Sequence, residues 1–65
     1  MVRIHLPGGK EVERGGQPVR LEELLEELQI NPVEVVIAKN GELVTETEWA
    51  VGEDLIRIYR TSHGG

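Results

Sequence analysis

Sixty-five residues make one domain, and a chain of this size buries only about 60% of the surface its unfolded form exposes. Cysteine is absent, and with no Phe, one Trp and one Tyr the core must be built from Val, Ile and Leu. Disulfides and thiolate-held metal are thereby excluded as reinforcement. The net charge of −5, from twelve acidic and seven basic side chains, argues against direct nucleic-acid binding, which draws its affinity from Lys and Arg on phosphates. No stretch approaches the ~18 apolar residues of a membrane span, and no signal-peptide pattern opens the chain. A soluble, cytoplasmic protein is expected.

Val2, Ile4 and Leu6 alternate with Arg3 and His5, the period-2 pattern of a half-buried strand. Pro7-Gly8-Gly9 reads as a turn, with positive φ open to glycine. Lys10 to Arg14 resumes the alternation with Val12 inward, so an N-terminal β-hairpin is predicted. Gly15-Gly16-Gln17 breaks the strand, and Pro18 suits the first turn of a helix. Leu21, Leu24, Leu25 and Leu28 fall at i, i+3, i+4 and i+7, one stripe of an α-helix. Glu22, Glu23, Glu26 and Glu27 take its other side, where like charges four apart cost a little helix stability but favour solubility. Asn31-Pro32 is expected to end the helix, because a residue before proline avoids the α region.

Val33 to Lys39 is nearly continuous in apolar residues, as in a strand covered on much of both faces. Asn40-Gly41 is a strong hairpin signal, which makes Glu42-Leu43-Val44 the return strand. Thr45 to Trp49 reads as an irregular or 3₁₀ connection, with Trp49 capping the edge of the core. Gly52-Glu53-Asp54 marks a turn, and Leu55 to Tyr59 forms a last strand with Ile56 and Ile58 on one face. The order is ββαββ and a final β. The last strand must return beside the first for the sheet to have a centre, giving an α+β domain of the β-grasp type: a mixed sheet of four to five strands and one packed helix. The domain is expected to span residues 1–60, and residues 61–65 to form a flexible tail.

That tail reads Thr61-Ser62-His63-Gly64-Gly65. Two glycines make a thin thread able to enter a narrow cleft backbone-first, with the α-carboxylate of Gly65 unhindered at its tip. A glycine-rich loose end with no role is the plainer reading. Gly8-Gly9-Lys10 is not a phosphate loop, since Glu11 and a strand follow instead of Ser or Thr and a helix. Ser62, the sole serine, lies in the tail, so no Ser-His-carboxylate site is expected. His5 and His63 are too few to argue for metal. Histidine is the residue type whose charge changes near neutrality. His63 stands beside the glycines in the sequence, where the expectation is that it tunes the tail or, more plainly, serves as linker.

In this order and length, ending in Gly64-Gly65, the chain resembles the ubiquitin-like small sulfur carriers of the ThiS/MoaD type. The segment Ile37-Ala38-Lys39-Asn40-Gly41-Glu42-Leu43-Val44 looks like the family's central hairpin. Glu48-Trp49-Ala50, then Gly52-Glu53-Asp54 and Ile56, resembles the stretch before the family's final strand. The gap from Trp49 to Gly52 is shorter than in thiamine-pathway carriers, and the chain is short for a molybdopterin-synthase subunit. In these features, in Leu6-Pro7 and in Leu28-Gln29-Ile30-Asn31-Pro32 it is similar to the TtuB-like carriers that serve tRNA 2-thiolation. The resemblance implies a carrier, not an enzyme, with no bound cofactor. It further implies that a ubiquitin-activating-type enzyme would use ATP to adenylate Gly65, that a persulfide-bearing donor protein would supply sulfur, and that the thiocarboxylate would feed a thiamine thiazole or molybdopterin synthase or a tRNA thiolase. The carrier itself is expected to be a monomer. Two alternatives stay open: a modifier joined to lysines through Gly65, and a plain β-grasp binding module.

If the first and last strands are neighbours, Arg3, His5, Leu55, Arg57 and Tyr59 face outward together, with Arg60 and His63 nearby. This basic face is the expected docking surface for the activating enzyme. The other reading is an ordinary solvated sheet face.

Overall fold

The computed structural model describes residues 1–15 and 18–61. Gly16, Gln17 and the expected tail residues Ser62, His63, Gly64 and Gly65 lie outside the described residues. Strand β1 (Val2–His5) pairs antiparallel with β2 (Glu11–Arg14). A two-residue strand β3 (Val19–Arg20) leads directly into helix α1 (Leu21–Glu27). A 3₁₀ turn over Pro32–Glu34 precedes β4 (Val35–Lys39) and its hairpin partner β5 (Glu42–Val44). Strand β6 (Trp49–Ala50) and the long β7 (Leu55–Arg60) complete the described chain. The main sheet runs β2-β1-β7-β4-β5, with β7 parallel to β1 and antiparallel to β4. Five strands and one helix in this arrangement are an α+β β-grasp fold. The helix is neither long nor apolar enough to cross a membrane, nor is any other among the described residues.

The core follows from the two periodicities. Leu21, Leu24 and Leu25 of α1 face Ile37 of β4 and Ile56 and Ile58 of β7, all buried. Val2 and Ile4 extend this layer along β1, and Val12, Leu28, Ile30 and Val44 pack around it half-buried. Complete burial of a Leu or Ile side chain contributes about 1.5–3 kcal/mol, so this single aliphatic layer carries the fold.

Several local predictions require correction. Pro18 does not open the helix; it precedes β3, which pairs antiparallel with β6 (Val19 with Ala50, Arg20 with Trp49). Thr45 to Trp49 is more than a connection. Its carbonyls cap the helix, because Leu21 N–H donates to Glu48 (2.9 Å) and Glu22 N–H to Glu46 (2.8 Å). Arg20, the residue before the helix, makes no side-chain cap of its own. Those backbone acceptors satisfy donors that a Ser or Asp cap would otherwise take. Trp49 does not cover the core but is about half exposed, with the Arg20 guanidinium 4.9 Å from its ring centre.

The helix also stops before Asn31-Pro32. Ile30 N–H reaches back to Leu25 (2.8 Å) and Gln29 N–H to Glu26 (3.0 Å), with Gln29 at φ 61°. This is a Schellman closure, sealed by Ile30 folding onto the core. Asn31 then caps the 3₁₀ turn, its side chain accepting from Val33 N–H at 3.0 Å. Strand β4 accordingly begins at Val35 rather than Val33. Its cover on the outer face is partial: Ala38 is buried there, while Val36 is 40% exposed.

The turns behave as their residues dictate. Asn40 at φ 51° and Gly41 at φ 91° have the left-handed backbone of a tight primed hairpin turn. The Asn40 side chain does more. Its amide donates to Asp54 Oδ1 (2.9 Å), and its carbonyl accepts from Leu55 N–H (2.9 Å). Asp54 Oδ2 accepts from Val51 N–H (2.9 Å). This knot ties the β4–β5 turn to the entry of β7. On the other side of the sheet, Arg14 makes a two-pronged bond to Glu27 (2.9 and 2.8 Å), joining β2 to the end of the helix.

Two predictions follow from these local geometries. A left-handed residue with a side chain is strained where glycine is not, so Gln29→Gly raises unfolding free energy by up to about 1 kcal/mol; an unchanged denaturation midpoint would refute the strain argument. The Val51 N–H, and then the Asn40 amide, hold the Asp54 carboxyl below its ordinary pKa. Ionised Asp54 therefore favours the fold above its unfolded-state pKa, and that contribution is lost as pH falls through the unfolded value to the lower folded one. Glu27, lowered by its bond to Arg14, acts in the same direction from an exposed position. Denaturation of Asp54→Asn, followed from about pH 6 to about pH 3, should show a shallower acid loss than the wild type.

Candidate functional site

In the order β2-β1-β7-β4-β5, residues paired across strands share a face. Opposite the helix, one row reads Glu11, His5, Arg57, Ala38, Leu43. A second reads Glu13, Arg3, Leu55, and a third pairs Tyr59 with Val36. The open face therefore changes character from edge to edge. It is acidic along β2, basic in the centre, and apolar on the side of β4 and β5.

Of the residues expected to dock a partner, Arg3, His5, Leu55, Arg57 and Tyr59 do lie on this face. They fall into two groups along the strands. His5, Arg57 and Tyr59 border a shallow groove of about 430 Å³. The Pro7-Gly8-Gly9 turn forms its other wall. Arg3 and Leu55 sit at the opposite end, beside Met1 and Glu53. Arg60 also lines the groove, yet its place in β7 is opposite Val35, on the helix side of the sheet. There its guanidinium lies 3.9 Å from the Glu34 carboxylate. His63 lies outside the described residues, as do Gly64 and Gly65.

The positive charge of the face is less concentrated than the sequence suggests. Arg3 stands directly opposite Glu13, and His5 Nε2 lies 3.5 Å from Glu11. Neither Arg3 nor Arg57 takes part in an ion pair among the described residues. Arg3, however, has the acidic Glu13 as its cross-strand neighbour, whereas the cross-strand neighbours of Arg57 are His5 and Ala38. Beside it is an apolar area that alternation alone did not reveal: Leu43 is 74% exposed, and Tyr59 and Val36 are nearly half exposed. Exposed apolar and aromatic side chains next to an arginine are the composition typical of an interface core. Among the described residues, no group of three or more His, Cys, Asp or Glu is placed to hold a metal ion.

The groove lies beside the last residues of β7, and the next residue is held firmly. Thr61 donates twice to the Glu34 carbonyl, from its N–H (2.9 Å) and from its hydroxyl (3.1 Å). The base of the segment running towards Gly65 is therefore fixed on the 3₁₀ turn.

Comparison with known proteins assigns this arrangement to a family. The sulfur carrier protein TtuB of Thermus thermophilus is 40% identical over 65 residues, covering 98% of this chain and 97% of TtuB. The chain belongs to the TtuB-like group of ThiS/MoaD sulfur carriers. No model of a known protein family matches it. Membership agrees with the ubiquitin-like fold. In this family the domain is a carrier rather than an enzyme, so the features to account for are its surface and the base of its C-terminal segment.

Proposed function

We propose that this protein carries sulfur as a thiocarboxylate on Gly65. The observation that carries the proposal is the 40% identity to a sulfur carrier across nearly the whole of both chains, joined to a sequence closing on Gly64-Gly65. The Gly65 carboxylate attacks the α-phosphorus of ATP in an adenylating enzyme of the ubiquitin-activating type, and pyrophosphate leaves. The acyl adenylate is then an activated carbonyl. The terminal sulfur of a protein persulfide attacks it and displaces AMP, and a thiol cleaves the resulting acyl disulfide to leave the thiocarboxylate. A downstream sulfurtransferase or synthase takes the sulfur, and transfer RNA 2-thiolation is the destination favoured by the likeness to TtuB-like carriers over thiamine thiazole or molybdopterin synthesis. The chain contributes the reacting carboxyl and the surface by which partners hold it. ATP belongs to the activating partner.

The open sheet face is the proposed docking surface. Arg57 gives it a positive charge that is unpaired among the described residues, while Tyr59, Val36 and Leu43 give it an apolar area. Arg3 and His5 stand opposite β2 glutamates in the strand register and have the smaller part. Arg60 faces the other way and lies close to Glu34.

Two experiments test this. The intact mass of the protein, incubated with ATP, a persulfide donor and its host's adenylating enzyme, should rise by the exchange of one oxygen for sulfur, and not when Gly65 is deleted. Conjugates to lysine in place of that exchange would instead make the protein a modifier. In steady-state adenylation, Arg57→Glu should raise KM at least about tenfold, as loss of a central interface residue does, and Arg60→Glu should have the smaller effect. Equal KM values for Arg57→Glu and the wild type would remove the open face from the docking model.

A further inference from the structure

Thr61 is the first residue after the last strand, and a residue at that place is normally free to fray. Here it is held by two donors converging on one acceptor, the carbonyl of Glu34. The carbonyl has two lone pairs, so it can accept both. Glu34 also holds Arg60 loosely through its carboxylate, at 3.9 Å. The 3₁₀ turn that presents Glu34 is itself fixed at both ends, by the Asn31 side-chain cap and by the Val35 N–H on the Pro32 carbonyl. The acceptor is thus part of the rigid body and not of a loose loop.

Resting on the reading that Gly65 is the reacting carboxyl, we infer that Thr61 is a positioning residue whose clamp on Glu34 sets the reach of that carboxyl. Four residues follow Thr61. Fully extended, they span at most about 13–14 Å at 3.3–3.6 Å per residue. An enzyme docked on the folded body must therefore hold its reactive centre within that distance of the clamp. Releasing Thr61 moves the point of attachment back into β7 and lengthens the tether. A longer tether lowers the effective concentration of the carboxyl at a fixed centre, and small errors in placement slow chemistry strongly. Docking through the open face is untouched by the clamp. The defect should therefore appear in kcat and not in KM, the reverse of the effect of Arg57→Glu.

Threonine is suited to this place on two counts. Its β-branch favours the extended backbone that continues β7, and its hydroxyl adds the second donor. Thr61→Ser keeps the hydroxyl donor, while Thr61→Val keeps the branch and the backbone N–H bond and weakens the clamp by losing the hydroxyl donor. Insertion of two glycines after Thr61 keeps the clamp and changes only the length beyond it.

The test is steady-state adenylation of these three variants and the wild type by the activating enzyme, together with hydrogen exchange of the Thr61 amide in the free protein. Slow exchange at Thr61 is expected. Thr61→Val and the two-glycine insertion should each lose about three- to tenfold in kcat at unchanged KM, and Thr61→Ser should retain the wild-type kcat. Wild-type kcat in both Thr61→Val and the insertion variant would overturn the inference, as would a Thr61 amide exchanging at the rate of an unstructured chain. A wild type that is never adenylated would overturn the carrier reading itself, whereas a charged wild type with indifferent variants overturns only the clamp.

Discussion

The position of β7 is the constraint on which the rest of the fold depends. It is hydrogen-bonded along both edges, in parallel to β1 and antiparallel to β4, and it supplies the buried Ile56 and Ile58 to the core. Its entry is fixed by the Asn40–Asp54 knot and by the Arg3 N–H on the Asp54 carbonyl at 3.1 Å. Its exit is fixed by Thr61 on Glu34. A strand held at both ends and both edges has one register. Because side chains alternate along it, that register also decides which residues reach the open face: Leu55, Arg57 and Tyr59, but not Arg60.

Much of this was legible beforehand. The order of the main strands, the hairpin at Asn40-Gly41, the leucine stripe of α1 and the return of the last strand beside the first all follow from period, turn chemistry and the need to cover one apolar face. The parts that were not legible share a physical cause: their signals are tertiary. The helix starts on carbonyls supplied by Glu46 and Glu48, more than twenty residues away, instead of on a local cap. It ends on a left-handed Gln29, where sequence reasoning looks for glycine. The pairing of β3 with β6 involves two residues on each side, too few for a periodic pattern.

The surface was legible in a similar, uneven way. Arg3, His5, Leu55, Arg57 and Tyr59 could be placed on one face from alternation. The apolar contribution of Val36 and Leu43 could not, because a nearly continuous apolar strand reads as covered on both sides. Nor could the pairing of Arg3 and His5 with β2 glutamates be weighed without a register. The clamp at Thr61 left no trace at all, since its acceptor is a backbone carbonyl.

Because the central strand is also the last element of the described chain, the sheet cannot be completed early. The pairing of Arg3 with Leu55 closes a loop of about fifty residues, a contact whose entropy must be overcome before it contributes anything. As the chain emerges during synthesis, β1, β2 and the β4–β5 hairpin have no common centre until β7 appears. A chain halted before Leu55 would leave the apolar faces of β1, β4 and α1 uncovered and open to aggregation or proteolysis. The fold therefore acts as its own check on synthesis: a body that has acquired its core has, of necessity, already made the strand that leads into the C-terminal segment.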